Sequence, residues 1–489
     1  MDPIGTITQY FPFIEDETRA ILEEIMEKAD DYYDFVQRLR DLVLTTDSPV
    51  MVVYFAIHHS MIALDYKHID KIREKYGHHQ ILGPNLFFSS AYQGTYEDVK
   101  KVHELADAVL AAQPQDWISL EMYFMKFEAD MVNYPASMYK TRILDSIREL
   151  IDSDSRFGFY EITLNDFLAL HAQLDGDTKE LIRCLDRGLK FALEFDDRLR
   201  MAHLLIRKSN IIMHQDRNHS RELLEQAYEI VDSCLEIPSF YAEILYNLGI
   251  LDAIRGEFDS AIESCLKSVT IRERAGLSTA NAAYYLSLFY NIIGEPASGL
   301  EWGRMAEDQF NSRPNLKNRA MLNQIWSLIL LKRVAEAQAL TDLSREPILK
   351  SGDVNQIAWL HFVTGVFELA QGDISLALSS VEQGLRIYEE QGSSLLMELI
   401  FLHQLAKIEI LSCSREEVVS PSLAILEEKA LSEDLPGILG LVLLLKAEIG
   451  IMSSDDALLR ETIPQLQLLS EKENLQFLKP FFDSLSRKL

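Results

Sequence analysis

Basic residues are scarce in this chain: 47 Lys and Arg stand against 76 Asp and Glu, a formal net charge of −29 over 489 residues. A surface with so few cations argues against a nucleic-acid binder, which must neutralise phosphates in number. It argues equally against binding to anionic membrane surfaces. The same charge would steer a basic peptide or protein partner towards the chain, although simple solubility accounts for it as well. Cysteine is nearly absent. Cys184, Cys234, Cys265 and Cys413 stand far apart without a CxxC pair, so no disulfide framework is expected and a reducing compartment is. Cys184 and Cys265 read as small buried hydrophobes. Glycine (21) and proline (14) are few, which leaves little linker and favours continuous helix.

Other absences bear on function. The most apolar run, Ile438 to Leu445, is far shorter than a bilayer span. The opening MDPIGTITQYFPFIEDE has neither a basic n-region nor an apolar h-region, so no secretory signal is expected and the cytoplasm is the expected location. The signatures GxxxxGKS/T, GxGxxG after a strand, HExxH and GxSxG are missing, and with them any expected catalytic residue or cofactor. His58-His59 and His78-His79 are adjacent pairs, which point about 100° apart on a helix and cannot chelate without outside ligands. No metal is expected. His203, His361 and His403 fall on helices without a visible catalytic partner.

What the chain does have is a repeat. Residues 242–274 read AEILYNLGILDAIRGEFDSAIESCLKSVTIRER. Leu245, Leu248 and Ile250-Leu251 lay down one apolar stripe at helical spacing, Gly256 interrupts it, and Phe258, Ala261, Ile262, Leu266 and Val269 lay down another. Helices joined by so short a turn must run antiparallel. Gly249, Ala261 and Ser268 are small where the helices would approach closely, and Gly256 sits where the turn needs a left-handed backbone. The register recurs with starts near 80, 119, 162, 202, 280, 318, 358, 399 and 438, at intervals of 38 to 43 residues. Its marks include Gly94-Thr95-Tyr96, Asn133 to Met138, Gly176-Asp177, Gly294, Glu336-Ala337, Gly372-Asp373 and Asp456-Ala457. So even a pitch predicts a solenoid, in which each hairpin buries its apolar face against the next.

The unit resembles the tetratricopeptide repeat (TPR). Counted from Ala242, Leu248-Gly249 stand at positions 7 and 8, Gly256 at the turn glycine, Phe258 at position 17 and Ala261 at position 20. Asp252 replaces the family's usual tyrosine, and the repeat runs longer than the usual thirty-four residues. The resemblance covers about 80–470 and implies an all-α, right-handed superhelical solenoid of antiparallel helix hairpins. It further implies that the first helix of each hairpin lines a concave face. The inward positions carry Arg207, Asn210, Tyr246, Asn247, Asn281, Tyr284, Asn291 and Asn323. In peptide-binding members asparagines at such positions hold the ligand main chain, since a carboxamide offers one donor and one acceptor site to match a peptide unit. Tyrosine adds apolar area with a polar tip. Asn210 and Asn247 match asparagines of the family's carboxylate clamp, but Ile206, Asn281 and Tyr285 stand where that clamp has basic residues, so capture of a terminal carboxylate is not implied. Asparagines that cap turns or bond one repeat to the next would give the same pattern.

The expected organisation follows. Residues 1–79 form an N-terminal helical cap or a divergent repeat, with helices after Asp16, from Tyr32 to Leu44, from Pro49 to about Asp65 and from His68 to Tyr76. Residues 80–160 hold degenerate repeats, whose Trp117, Phe124, Phe127, Tyr134 and Tyr139 read as core, and Arg156 to Tyr160 is the candidate break between two halves. Residues 161–470 are the regular array, and 471–489 an amphipathic helix capping the last repeat. The expected function is a non-catalytic scaffold or adaptor, holding a peptide or helical segment of a partner protein in the concave groove around 202–345. The alternative is a ligand- or peptide-sensing regulatory module acting on an output protein in trans. Partner identity and oligomeric state stay open at this level.

Overall fold

Among the described residues helix follows helix, and the turns at Gly176, Gly256, Gly294 and Gly372 fall where the repeat register puts them. The computed structural model describes residues 5–62, 66–84, 86, 96–133, 139–310, 314–390, 394–413, 420–473, 475–480 and 482, and among them no strand occurs. The fold is all-α, a TPR-like solenoid of antiparallel hairpins. The marks at Gly94-Thr95 and 134–138, and most of the expected C-terminal helix beyond residue 480, lie outside the described residues. The chain forms two compact units, residues 1–244 with 271–277 and residues 245–270 with 278–489.

Unit 1 contains α1 (Gly5–Thr8), α2 (Asp16–Lys28), α3 (Tyr32–Thr45), α4 (Val50–Ile62), α5 (Tyr66–Tyr76), α6 (Tyr96–Ala111), α7 (Asp116–Asn133), α8 (Tyr139–Ser153), α9 (Tyr160–Leu174), α10 (Thr178–Glu194), α11 (Arg198–Ile212) and α12 (Arg217–Ile230). Helices α13 (Pro238–Arg255) and α14 (Phe258–Arg274) contribute residues to both units. Helix starts are set by aspartates: Asp177, Asp197 and Asp216 each accept the backbone N–H three residues on, at 3.0 Å. Such caps contribute about 1 kcal/mol apiece. Trp117, Phe124 and Phe127 are buried, as expected of core aromatics. Arg156 to Tyr160 lies inside this unit, with Phe157, Phe159 and Tyr160 buried.

The opening residues fill unit 1 through Tyr10. Its ring meets Phe159, Phe55, Trp117 and Tyr160 edge-on at 5.3, 5.4, 6.0 and 6.2 Å. Its hydroxyl donates to Glu121 Oε1 at 3.0 Å, Tyr160 donates to the same oxygen at 2.8 Å, and Tyr54 donates to Oε2 at 3.2 Å. One carboxylate, 7% exposed, thus ties the N-terminal segment to α4, α7 and α9. Burial and then the Glu121 charge push the Tyr10 phenol far above its ordinary value, so it stays a donor. Next to this cluster the Tyr32 hydroxyl meets His59 Nδ1 at 2.7 Å, while His59 Nε2 has no partner.

His59 makes unit 1 sensitive to acid. Burial, helped by the charges of His58 and Arg200, holds its imidazole well below the ordinary value. A histidine so depressed stays neutral in the fold and takes its proton in the unfolded chain. Its contribution is therefore fully present above about pH 6.5 and is lost as the pH falls towards the folded value, by about 1.4 kcal/mol per pH unit. Denaturation midpoints measured near pH 7 and pH 5 should fall further in the wild type than in His59→Phe, by the equivalent of one proton. Equal slopes in the two proteins would count against this.

Unit 2 continues with α15 (Ala280–Ile292), α16 (Pro296–Gln309), α17 (Pro314–Leu330), α18 (Val334–Ser351), α19 (Val354–Gln371), α20 (Ile374–Glu390), α21 (Leu395–Ser412), α22 (Pro421–Ser432), α23 (Pro436–Ser453) and α24 (Asp456–Lys472). The first helices α15, α17, α19, α21 and α23 pack each on the next and make an inner layer. Close approach explains the small residues. A Cβ on Gly249 would lie 2.9 Å from the Ala261 carbonyl oxygen, and one on Gly384 would lie 2.8 Å from that of Ala358. Asp252, the departure from the repeat pattern, accepts from Ser260 Oγ at 2.7 Å and so ties its own hairpin together.

The two ends of unit 2 meet. Gly256, at φ +79°, packs its backbone against Gly437 and Ile438 at the start of α23, with no room for a Cβ on either glycine. The Phe477 N–H donates to Asp259 Oδ2 at 3.0 Å, and the Phe258 and Phe477 rings cross at 5.4 Å. A 3-10 turn, Gln476–Leu478, therefore covers the hairpin α13–α14 as well as the last repeat, where Leu478 packs on Gly440. The apolar run Ile438 to Leu445 extends into α23, which is long and apolar enough to cross a bilayer. Its burial, 61% of the helix, is accounted for by α21, α22 and α24 packed against it.

Candidate functional site

The inner layer of unit 2 carries a tyrosine-arginine cluster. The α13 ring of Tyr246 meets Tyr285 edge-on at 5.4 Å, and Tyr284 meets Tyr285 at 5.0 Å. Arg319 of α17 donates through Nη2 to Asp353 Oδ2 at 3.2 Å, while its Nε has no partner. Asp353 caps α19, accepting from the Gln356 backbone N–H at 3.2 Å and from Gln356 Nε2 at 2.7 Å. Burial alone would raise its carboxyl, but the bonds from Gln356 and the Arg319 charge win and hold it below its ordinary value. Burial, followed by the neighbouring Tyr285, pushes the Tyr284 phenol upwards. Both tyrosines are thus neutral donors at any ordinary pH.

The residues expected at the groove divide by what meets them. Asn281 is exposed, and Tyr246 and Tyr284 are half-buried. Asn247 is buried, and its Nδ2 has no partner. Asn323 is fully buried with both ends of its carboxamide used: Nδ2 donates to the Tyr284 carbonyl at 3.1 Å, and Oδ1 accepts from Trp359 Nε1 at 3.1 Å. Asn291 donates to the Asn323 carbonyl at 3.1 Å and accepts from Ser327 Oγ at 2.8 Å. These two asparagines bond α15, α17 and α19 to one another, each bond contributing about 1 kcal/mol.

Arg207 and Asn210 belong to unit 1. Arg207 pairs with Asp166 of α9, its Nη1 reaching both the carboxylate and the backbone carbonyl, while its Nη2 and the Asn210 Oδ1 have no partners. His203 Nε2 stands 3.5 Å from the other Asp166 oxygen. Burial works against the Asp166 charge, but Arg207 and His203 outweigh it and hold the carboxyl at about 2. Burial, with Asp166 beside it, raises Glu128 to about 7. Sequence position marks Tyr285 only as a departure from the clamp pattern, and it does not single out Arg319, Asp353 or Glu128. Tyr285 and Arg319 sit on first helices, yet only the neighbouring helices show what they meet.

None of the four cysteines is in a disulfide, and burial pushes the Cys265 thiol up to about 12. No family model matches the chain, nor does the sequence of any curated protein. Among solved structures it is similar to a Rap protein complexed with competence and sporulation factor, at a TM-score of 0.47 and 13% identity over 67% of this chain and 97% of that one. The apo form of RapI gives 0.45 and 14% over 66% and 96%, and yeast Tom70 gives 0.34 and 11% over 94% and 97%. At that distance no ligand, partner or activity carries over.

Proposed function

We propose that the protein is a non-catalytic interaction scaffold of the cytoplasm that binds a peptide or helical segment of a partner protein on the inner helices of unit 2. The observation that supports this is the set of buried polar atoms left without partners beside groove residues that are exposed or half-buried. Asn247 Nδ2 and Arg319 Nε are such atoms, next in the repeat to Tyr246, Asn281 and Tyr284. An unpaired buried donor costs about 1–3 kcal/mol, and a peptide carbonyl is an acceptor of the kind that each of them lacks. The net charge of −29 favours a basic segment. Asn291 and Asn323 then hold the groove in shape and meet the ligand through their neighbours.

The test is selection from a random displayed-peptide library on the full chain, wild type beside a Tyr246→Ala, Asn281→Ala double variant. Peptides retained by the wild type should lose at least about tenfold in affinity for the variant, with circular dichroism unchanged. Equal retention by both proteins would move binding away from this face. A regulatory module acting in trans is the second reading: the contact of Gly256 with Gly437 closes the ends of unit 2, and a ligand that parted those two backbones would switch the unit between a closed and an open state.

A further inference from the structure

A cavity of about 230 Å³ lies within unit 2, among the inner helices. Apolar side chains are the majority of its lining, with the aromatic rings of Trp326 and Phe362 and the aliphatic groups of Leu399, Ile400 and Leu441 among them. Four polar side chains interrupt this lining: Asn291, whose carboxamide is bonded at both ends, and three from α21, His403, Gln404 and Lys407. Lys407 lies one turn from both His403 and Gln404. None of the three from α21 has a hydrogen-bond or ion-pair partner among the described residues.

Lys407 is the unusual member. The residue is half-buried, and an ammonium facing apolar groups without a counter-ion in ion-pair distance is disfavoured. Burial lowers this one from its ordinary value, and the charge of Glu448 opposes the shift from beyond ion-pair distance. Glu448 itself is exposed on α23. His403, held well below its ordinary value by burial and then by Lys407, is a neutral imidazole that offers a hydrogen bond and no competing charge. The cavity therefore presents one unneutralised cation, two neutral hydrogen-bonding groups and an aromatic-aliphatic wall.

We propose that this cavity is a binding site for a small apolar monocarboxylate, with the carboxylate on Lys407 and Gln404 and the hydrocarbon body against Trp326 and Phe362. Chemistry selects the class. A sugar would leave many hydroxyls unpaired against the apolar wall, and a phosphate dianion would find one cation where it needs more. Size selects the member: an apolar cavity of about 150 Å³ takes benzene, so 230 Å³ suits roughly eight to ten non-hydrogen atoms. Octanoate and phenylacetate are acids of that size. This site is separate from the peptide-binding proposal and stands or falls without it.

Titration calorimetry on the full chain, with octanoate and phenylacetate as acids and 1-octanol as the neutral counterpart, tests it. The wild type should bind at least one acid saturably and at least about tenfold more tightly than the alcohol. Lys407→Met keeps the length of the stem and removes the charge; it should lose that tenfold for the acid and leave the alcohol unchanged. Ile400→Trp fills the cavity with Lys407 in place, and should abolish binding of both while the melting transition persists. Acid bound no better than alcohol by the wild type, acid affinity unchanged in Lys407→Met, undiminished binding by Ile400→Trp, or no probe bound by the folded wild type would each overturn the proposal.

Discussion

Glu121→Ala should lower the stability of unit 1 by about 3–5 kcal/mol, the range for breaking a buried charged network on one side. Three hydroxyls, of Tyr10, Tyr54 and Tyr160, lose their acceptor at once. Each buried donor left unmade costs about 1–3 kcal/mol, and the three do not add because the site relaxes as a whole. Arg200, which interacts with Glu121 and is paired with Asp197 at 3.0 Å, also loses part of its neutralisation. Against a whole-domain stability of about 5–15 kcal/mol this is a large loss. Glu121→Gln keeps the volume and one acceptor, and should cost less than half as much. Denaturant unfolding of the full chain, with hydrogen exchange to place the loss in α4, α7 and α9, reads both values. A cost below about 1 kcal/mol for the alanine variant would mean that the three phenols find other partners.

Gly256→Ala should cost about 2–5 kcal/mol, and Gly372→Ala only about 1–2, although both glycines have left-handed backbones. At Gly372, φ +87°, a Cβ meets nothing within 4 Å, so backbone strain is the whole effect. At Gly256, φ +79°, the same strain is joined by overlap with the Ile438 nitrogen at 2.5 Å and the Gly437 carbonyl carbon at 2.7 Å. Those atoms are backbone and cannot step aside. The difference between the two variants isolates the contact that joins the ends of unit 2. Melting curves of the two should separate clearly, and Gly256→Ala should also loosen the Phe477 N–H from Asp259. Equal melting temperatures would show that the contact contributes nothing.

Local chemistry made the hairpins legible. Gly176, Gly256, Gly294 and Gly372 were marked as turns by spacing alone, and all four have positive φ. A glycine required at a turn leaves its trace at one sequence position, so a single chain displays it. The asparagines were harder, because repeat position says where a side chain points and not what meets it. A carboxamide fits a neighbouring helix's carbonyl as well as a ligand's, and Asn323 met Tyr284 and Trp359. Other features depend on residues distant in sequence. Tyr10 lies between two short helical turns with no periodicity to betray it, and Gly437 gives no sign that Gly256 will be its neighbour. Lys407 reads as an ordinary surface lysine until α15, α17 and α23 are stacked round α21.

The most direct measurement of the central claim, that the inner face of unit 2 is the binding surface, is photo-crosslinking of a selected peptide. A photoreactive phenylalanine analogue would replace Tyr246 in one protein and Leu376 in another, Leu376 being 53% exposed on the second helix α20. Crosslinks from position 246 and none from position 376 are the result expected. Crosslinks from position 376 alone would place the peptide on the outer helices and contradict the account.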